Sequence, residues 1–142
     1  MAHKCARCAR ADRHARCKRR GVRGTRILVK LLDVLIVDDD VEKACSLARM
    51  LRARHFVRIA VGLREAVHAV AYKVPDAIVC ALHMPPYRGD ALLAMVAREH
   101  PEVRRVLYGG GPQVTLVHAD AAHAVIERPH DAATLLAAIT DD

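Results

Sequence analysis

The 142-residue chain is long enough for one domain with a buried core, and 53% of its residues are hydrophobic. No stretch approaches the run of about 18 uncharged apolar residues that a membrane span requires, and no apolar segment near the N-terminus has signal-peptide form. With no Trp and 3% aromatic residues, the chain also lacks stacking platforms for bases or sugars. These features exclude a membrane or exported protein.

The net charge of +7 is unevenly divided. Eleven of the 23 Lys/Arg and one of the 16 Asp/Glu lie in residues 1–30, leaving +10 there and −3 over residues 31–142. The chain therefore reads as a basic N-terminal arm, 1–30, followed by a mildly acidic domain, 31–142.

Within the arm, Cys5, Cys8, His14 and Cys17 supply four zinc-type ligands, opened by a C-x2-C pair. Against a zinc knuckle, the ligands are tightly spaced and almost nothing apolar surrounds them, which favours a disordered arm rich in Ala and Arg. Such an arm would bind nucleic acid or an acidic surface without reading bases. A second reading is upstream sequence translated from a start placed too early, since the domain begins abruptly near Val29 and a GC-rich frame yields Ala and Arg. Five cysteines, an odd count, without a secretion signal indicate reduced thiols and a cytoplasmic protein.

From Leu31 onward, strand and helix patterns alternate. Asp33–Val37 is a continuous apolar run, the pattern of a parallel strand covered on both faces, and it ends on Asp38-Asp39-Asp40. Val41 to Arg54 carries Val41, Ala44, Leu47, Ala48 and Leu51 on one stripe, with Asp40 placed to cap that helix. Val57–Val61 is a second strand and Leu63–Tyr72 a second helix. Ala77–Leu82 is a third buried strand, stopped by Met84-Pro85-Pro86, and Asp90–His100 a third helix.

Arg105–Tyr108 forms a fourth strand, cut off by Gly109-Gly110-Gly111-Pro112. Gln113–Ala122 is assigned a helix despite its β-branched Val114, Thr115 and Val117. Ala124–Ile126 is a fifth strand, and Asp131 caps a last helix through Ile139. The expected fold is α/β: a (βα)5 doubly wound parallel five-stranded sheet of the flavodoxin-like kind. Such sheets carry their sites at the carboxyl ends of the strands, here Asp38-Asp39, Ala81, Gly109 and Arg128.

At those positions the chain resembles the receiver domain of two-component response regulators. The likeness covers about Leu32 to Ile139. It rests on Val34-Leu35-Ile36-Val37-Asp38-Asp39-Asp40, Pro75-Asp76-Ala77-Ile78-Val79-Cys80-Ala81-Leu82-His83-Met84-Pro85, Gly89, and Glu127-Arg128-Pro129-His130. The resemblance implies an acidic pair and a strand 3 aspartate that hold Mg²⁺, the latter taking a phosphoryl group from a histidine kinase. It also implies a Ser/Thr on strand 4 and a Lys before the Pro on strand 5 that read the phosphate.

Asp38 and Asp39 match the acidic pair, but Ala81 stands at the acceptor position, Gly109 at the Ser/Thr position and Arg128 at the Lys position. Alanine offers no carboxylate to form an acyl phosphate. Mg²⁺ binding should be weak or absent at this degenerate pocket, because one of its carboxylates is missing. Arg128 could instead fork onto Asp38 and Asp39 where the metal would lie. His83 offers a substitute phosphate carrier only if its side chain turns inward. The glycine run lacks the Lys-Ser/Thr ending of a P-loop and reads as a βα loop. Cys45 and Cys80 read as buried and inert.

The sequence thus describes a pseudo-receiver, not an enzyme: a stand-alone signalling module acting by protein–protein contact. Its partner would be a histidine kinase or another signalling protein, with a homodimer a further option. Leu116, Val117, Val125 and Ile126 lie on the expected contact face. Two alternatives stay open: a nucleic-acid-binding protein that uses the arm, and a phosphotransfer protein with a non-standard acceptor.

Overall fold

The computed structural model describes residues 30–109, 115–127 and 131–140; Cys5, Cys8, His14, Cys17 and Arg128 lie outside the described residues. In chain order the elements are β1 (Asp33–Asp38), α1 (Val41–Leu51), β2 (Phe56–Val61), α2 (Gly62–Tyr72), β3 (Ala77–Ala81), β4 (His83–Met84), β5 (Tyr87–Arg88), α3 (Gly89–Glu99), β6 (Arg104–Tyr108), a 3-10 turn (Ala119–Ala121), β7 (Ala124–Ile126) and α4 (Ala132–Thr140). Five strands form one parallel sheet in the order β2-β1-β3-β6-β7, while β4 and β5 make a small antiparallel ribbon. This is the doubly wound architecture that the alternating pattern predicts.

Burial explains the composition of the strands. Every residue of β1 and of β3 is buried, as expected for central strands with helices on both faces. Leu35, Ile36, Ile78, Leu107, Leu92, Leu93 and Leu135 anchor the core. The right-handed crossover places α1 and α2 on opposite faces, because the chain reverses direction across the sheet after β2. Asp40 caps α1, accepting the Glu42 and Lys43 N–H groups. Asp131 does the same for α4, accepting from Thr134 at 2.7 Å. Val41, expected on the inward stripe of α1, is exposed instead.

The helix expected over Gln113–Ala122 is not present among its described residues, which hold only the turn Ala119–Ala121. Two causes act together. β-Branched Thr115 and Val117 disfavour a helix, and the Asp90 carboxylate takes the N–H groups of Val117 and His118. Asp90 is buried, and Arg88 forks onto it at 3.1 and 3.3 Å while also donating to the Thr115 carbonyl. Burial alone would raise the Asp90 pKa, but these donors hold it below the ordinary carboxylate value. The start of α3 is thereby clamped to residues 115–118.

Gly89, at the head of α3, is fixed by space. A Cβ there would lie 1.9 Å from the Ala81 carbonyl oxygen and 2.9 Å from the Cys80 Sγ. Gly89→Ala should therefore cost about 3 kcal/mol in denaturant unfolding, with β3 or α3 forced to shift. An unchanged unfolding midpoint would show that this contact can relax freely.

Candidate functional site

The carboxyl ends of β1, β3 and β6 meet at an open cleft of about 750 Å³, lined by Asp38, Asp39, Ala81, His83, Tyr108 and Gly109 among others. Its floor is set by strand register. Ala81 is the register partner of Tyr108, and Asp38 lies one residue past the Val37–Cys80 pair. Asp38, Ala81 and Tyr108 therefore stand side by side on three neighbouring strands.

The outer two join above the middle one. The Tyr108 hydroxyl donates to Asp38 Oδ2 at 2.5 Å, and both side chains are buried. Two strand spacings separate their backbones by about 10 Å, so the tyrosine ring must reach back over Ala81. A methyl group at position 81 leaves the way between them open, and a carboxylate there would face the Asp38 charge. The other Asp38 oxygen, Oδ1, accepts the Asp40 N–H at 3.0 Å.

Electrostatics follow from this geometry. Burial raises the Asp38 pKa, the Tyr108 and Asp40 donors draw it partly back, and neighbouring Asp39 pushes it up; the net shift is upward. Burial, and then the Asp38 carboxylate, push the Tyr108 phenol well above its ordinary value. Tyr108 is therefore a neutral donor at physiological pH.

Asp39, His83 and Gly109 line the same cleft. Asp39 and His83 are exposed at the rim, so His83 does not turn inward. Gly109 sits at φ +89°, a conformation that a threonine would adopt only with strain. Arg128, and with it the proposed fork onto Asp38 and Asp39, lies outside the described residues, as do the four arm ligands. Cys80 is fully buried and burial raises its thiol pKa strongly, whereas Cys45 is only half-buried, contrary to expectation. Tyr108 is the residue that sequence reasoning missed. The available signal was volume: a large hydroxyl-bearing residue ends strand 4 beside an unexpectedly small one on strand 3.

The Mg²⁺ site implied by the resemblance does not fit these residues. Each Asp38 oxygen already accepts a donor, Ala81 offers no carboxylate between the strands, and Asp39 is exposed at the rim. Among the described residues, no three His, Cys, Asp or Glu side chains converge as metal ligands would.

Comparison with known proteins points to one class. No family profile matches the chain, and no curated protein matches it. Solved structures do match. A response regulator from Burkholderia pseudomallei, described with a phosphorylated aspartic acid, calcium ion and citrate, shares 28% identity over 77% of this chain and 66% of its own, with a TM-score of 0.69. NtrX from Brucella abortus shares 26% identity over 75% of this chain, with a TM-score of 0.68, and this chain spans 25% of it. A putative response regulator from Chloroflexus aurantiacus shares 26% identity over 75% of this chain and 93% of its own, with a TM-score of 0.66.

The fold is that of response-regulator receiver domains, which supports a place in two-component signalling at that coarse level. Among the described residues, no helix is long and apolar enough to cross a membrane.

Tyr108→Phe should lower stability by about 1–2 kcal/mol at neutral pH. It should also move the Asp38 carboxyl titration further up, because a donor to the charged form is lost. Carbon-detected NMR titration of Asp38 checks this, and an unmoved titration would show that the hydrogen bond is not formed in solution. Because the Asp38 pKa is raised by folding, its ionisation opposes stability as pH rises from about 3.9 through the raised value. Asp38→Asn should remove that decline.

Proposed function

We propose that this chain is a phosphorylation-independent pseudo-receiver that works in two-component signalling by protein–protein contact, without catalysis. The observation that carries the reading is the Tyr108–Asp38 hydrogen bond laid over Ala81. A receiver that uses phosphate needs a strand 3 carboxylate, space for a phosphoryl group and a free acidic pair for the metal. Here the nucleophile is absent, a phenol ring covers its place, and Asp38 is engaged. The Burkholderia neighbour is described with a phosphorylated aspartic acid; in this chain the strand resembling the acceptor strand offers Ala81.

Contact with another chain is supported by apolar side chains left in solvent. Val117 and Val125, both on the face that the receiver resemblance implies, are 70% and 47% exposed, while Leu116 and Ile126 pack partly against the core. The partner is a histidine kinase or a related signalling protein. Unpaired Cys45 and Cys80 suit a reducing compartment, and we place the module in the cytoplasm.

Incubation of the full chain with Mg²⁺ and a small acyl-phosphate donor should leave its intact mass unchanged. Ala81→Asp alone should also remain unmodified, because Tyr108 still covers the new carboxylate. A phosphate adduct on the parent chain would overturn the reading, and one on His83 would establish the non-standard phosphotransfer alternative.

A further inference from the structure

Each edge strand of the sheet is immediately preceded by a histidine, His55 before β2 and His123 before β7. The two make the same contact. His55 Nδ1 accepts the Leu32 backbone N–H at 3.2 Å, and His123 Nδ1 accepts that of Arg105 at 2.9 Å. The main chain completes each junction: Phe56 N–H donates to the Leu32 carbonyl at 2.9 Å, and His123 N–H to the Arg105 carbonyl at 2.8 Å. At the β2 edge, then, Leu32 is held by His55 and Phe56, and at the β7 edge both the N–H and the C=O of Arg105 are held by His123. A ring nitrogen that accepts a hydrogen bond carries no proton, so both rings are neutral with their hydrogen on Nε2.

The surroundings oppose a second proton. The Arg105 guanidinium donates to the carbonyls of Ala121, Pro101 and Val103, and its Nη2 lies 3.4 Å from His123 Nε2, where two donors face each other. Arg104 adds positive charge from the same strand, and the preceding turn contributes Asp120. His55 is buried beside Arg54. It borders a groove at the amino end of the sheet that also holds Lys30, Asp76, Glu102 and Arg104. The Asp76 carboxylate there is engaged by the Asp33 N–H. Burial and then Arg54 hold His55 below the ordinary value; His123 is solvent-exposed as a residue, and partial desolvation of its ring together with Arg105 and Arg104 lowers it in the same direction.

We propose that His55 and His123 are paired acid-sensitive clasps, whose protonation frees the Leu32 and Arg105 N–H groups and loosens both edges of the sheet while the central strands hold. Histidines held below the ordinary pKa of about 6.5 give their full stability above that pH and lose it as pH falls toward the lowered folded-state values. The inference stands independently of the function proposed above.

Amide hydrogen exchange of the full chain at about pH 7.5 and about pH 5.5, corrected for intrinsic rates, tests it. Protection at Leu32, Arg105, β2 and β7 should fall about tenfold on acidification relative to β3. In the double variant His55→Asn and His123→Asn, an amide oxygen can accept in place of Nδ1 without titrating, and the edges should lose this response. The same acid response in that variant, or none in the parent, overturns the proposal. Should the variant not fold, NMR titration of the parent's rings decides. Values below 6.5 with the Nε2–H tautomer support the clasps, and a value at or above 6.5, or an Nδ1–H tautomer, refutes them.

Discussion

A buried carboxylate at the end of a parallel strand needs donors, and the way Asp38 finds them governs the rest of this site. One oxygen takes the Asp40 N–H, the bond that also shapes the turn into α1. The other takes the Tyr108 hydroxyl, which reaches it from two strands away. That reach is possible because the intervening residue is Ala81. Once made, the bond crosses the floor of the cleft at the level of Ala81 and ties β1 to β6 at their carboxyl ends. The small residue on β3 and the phenol on β6 are thus one packing solution.

Beside this pocket, a second buried carboxylate organises the neighbouring surface. Asp90 gathers the Arg88 fork and the N–H groups of Val117 and His118, so residues 115–118 follow the head of α3 instead of coiling into a helix of their own. Gly89 permits this by letting the α3 terminus sit against the Ala81 carbonyl. The pocket and the exposed Val117 are therefore linked through a short, tightly packed path: Ala81, Gly89, Asp90, Val117. Whatever conformation the surface holds is held by satisfied buried polar groups, which are expensive to break.

Much of this was legible in the residues. The apolar runs of β1 and β3, the Asp40 and Asp131 caps and the strand–helix alternation gave the sheet and its order of elements. The place of Ala81 at the carboxyl end of the third strand was readable from its spacing to His83 and Met84-Pro85. What escaped was tertiary. A tyrosine at a strand end is unremarkable until register places it beside an alanine and within reach of Asp38. Likewise, residues 115–118 looked helical because the pull of Asp90 on their amides comes from 27 residues upstream. Cys45 and Val41 differ from the sequence expectation for a simpler reason: helical periodicity marks a stripe but not how far the neighbouring sheet extends beneath it.

The proposed function requires that Tyr108 and Ala81 together close the acidic pocket to a divalent cation. An NMR-monitored Mg²⁺ titration of the full chain tests it most directly, read at the amides of residues 38–40, 81–83 and 108–109 and compared with an Ala81→Asp/Tyr108→Leu variant. No saturable shifts are expected in the parent, and saturable shifts in the variant, where a third carboxylate is present and Asp38 is released. Saturable binding at these amides in the parent would mean that the pocket is open and that the Tyr108 bond does not hold it shut.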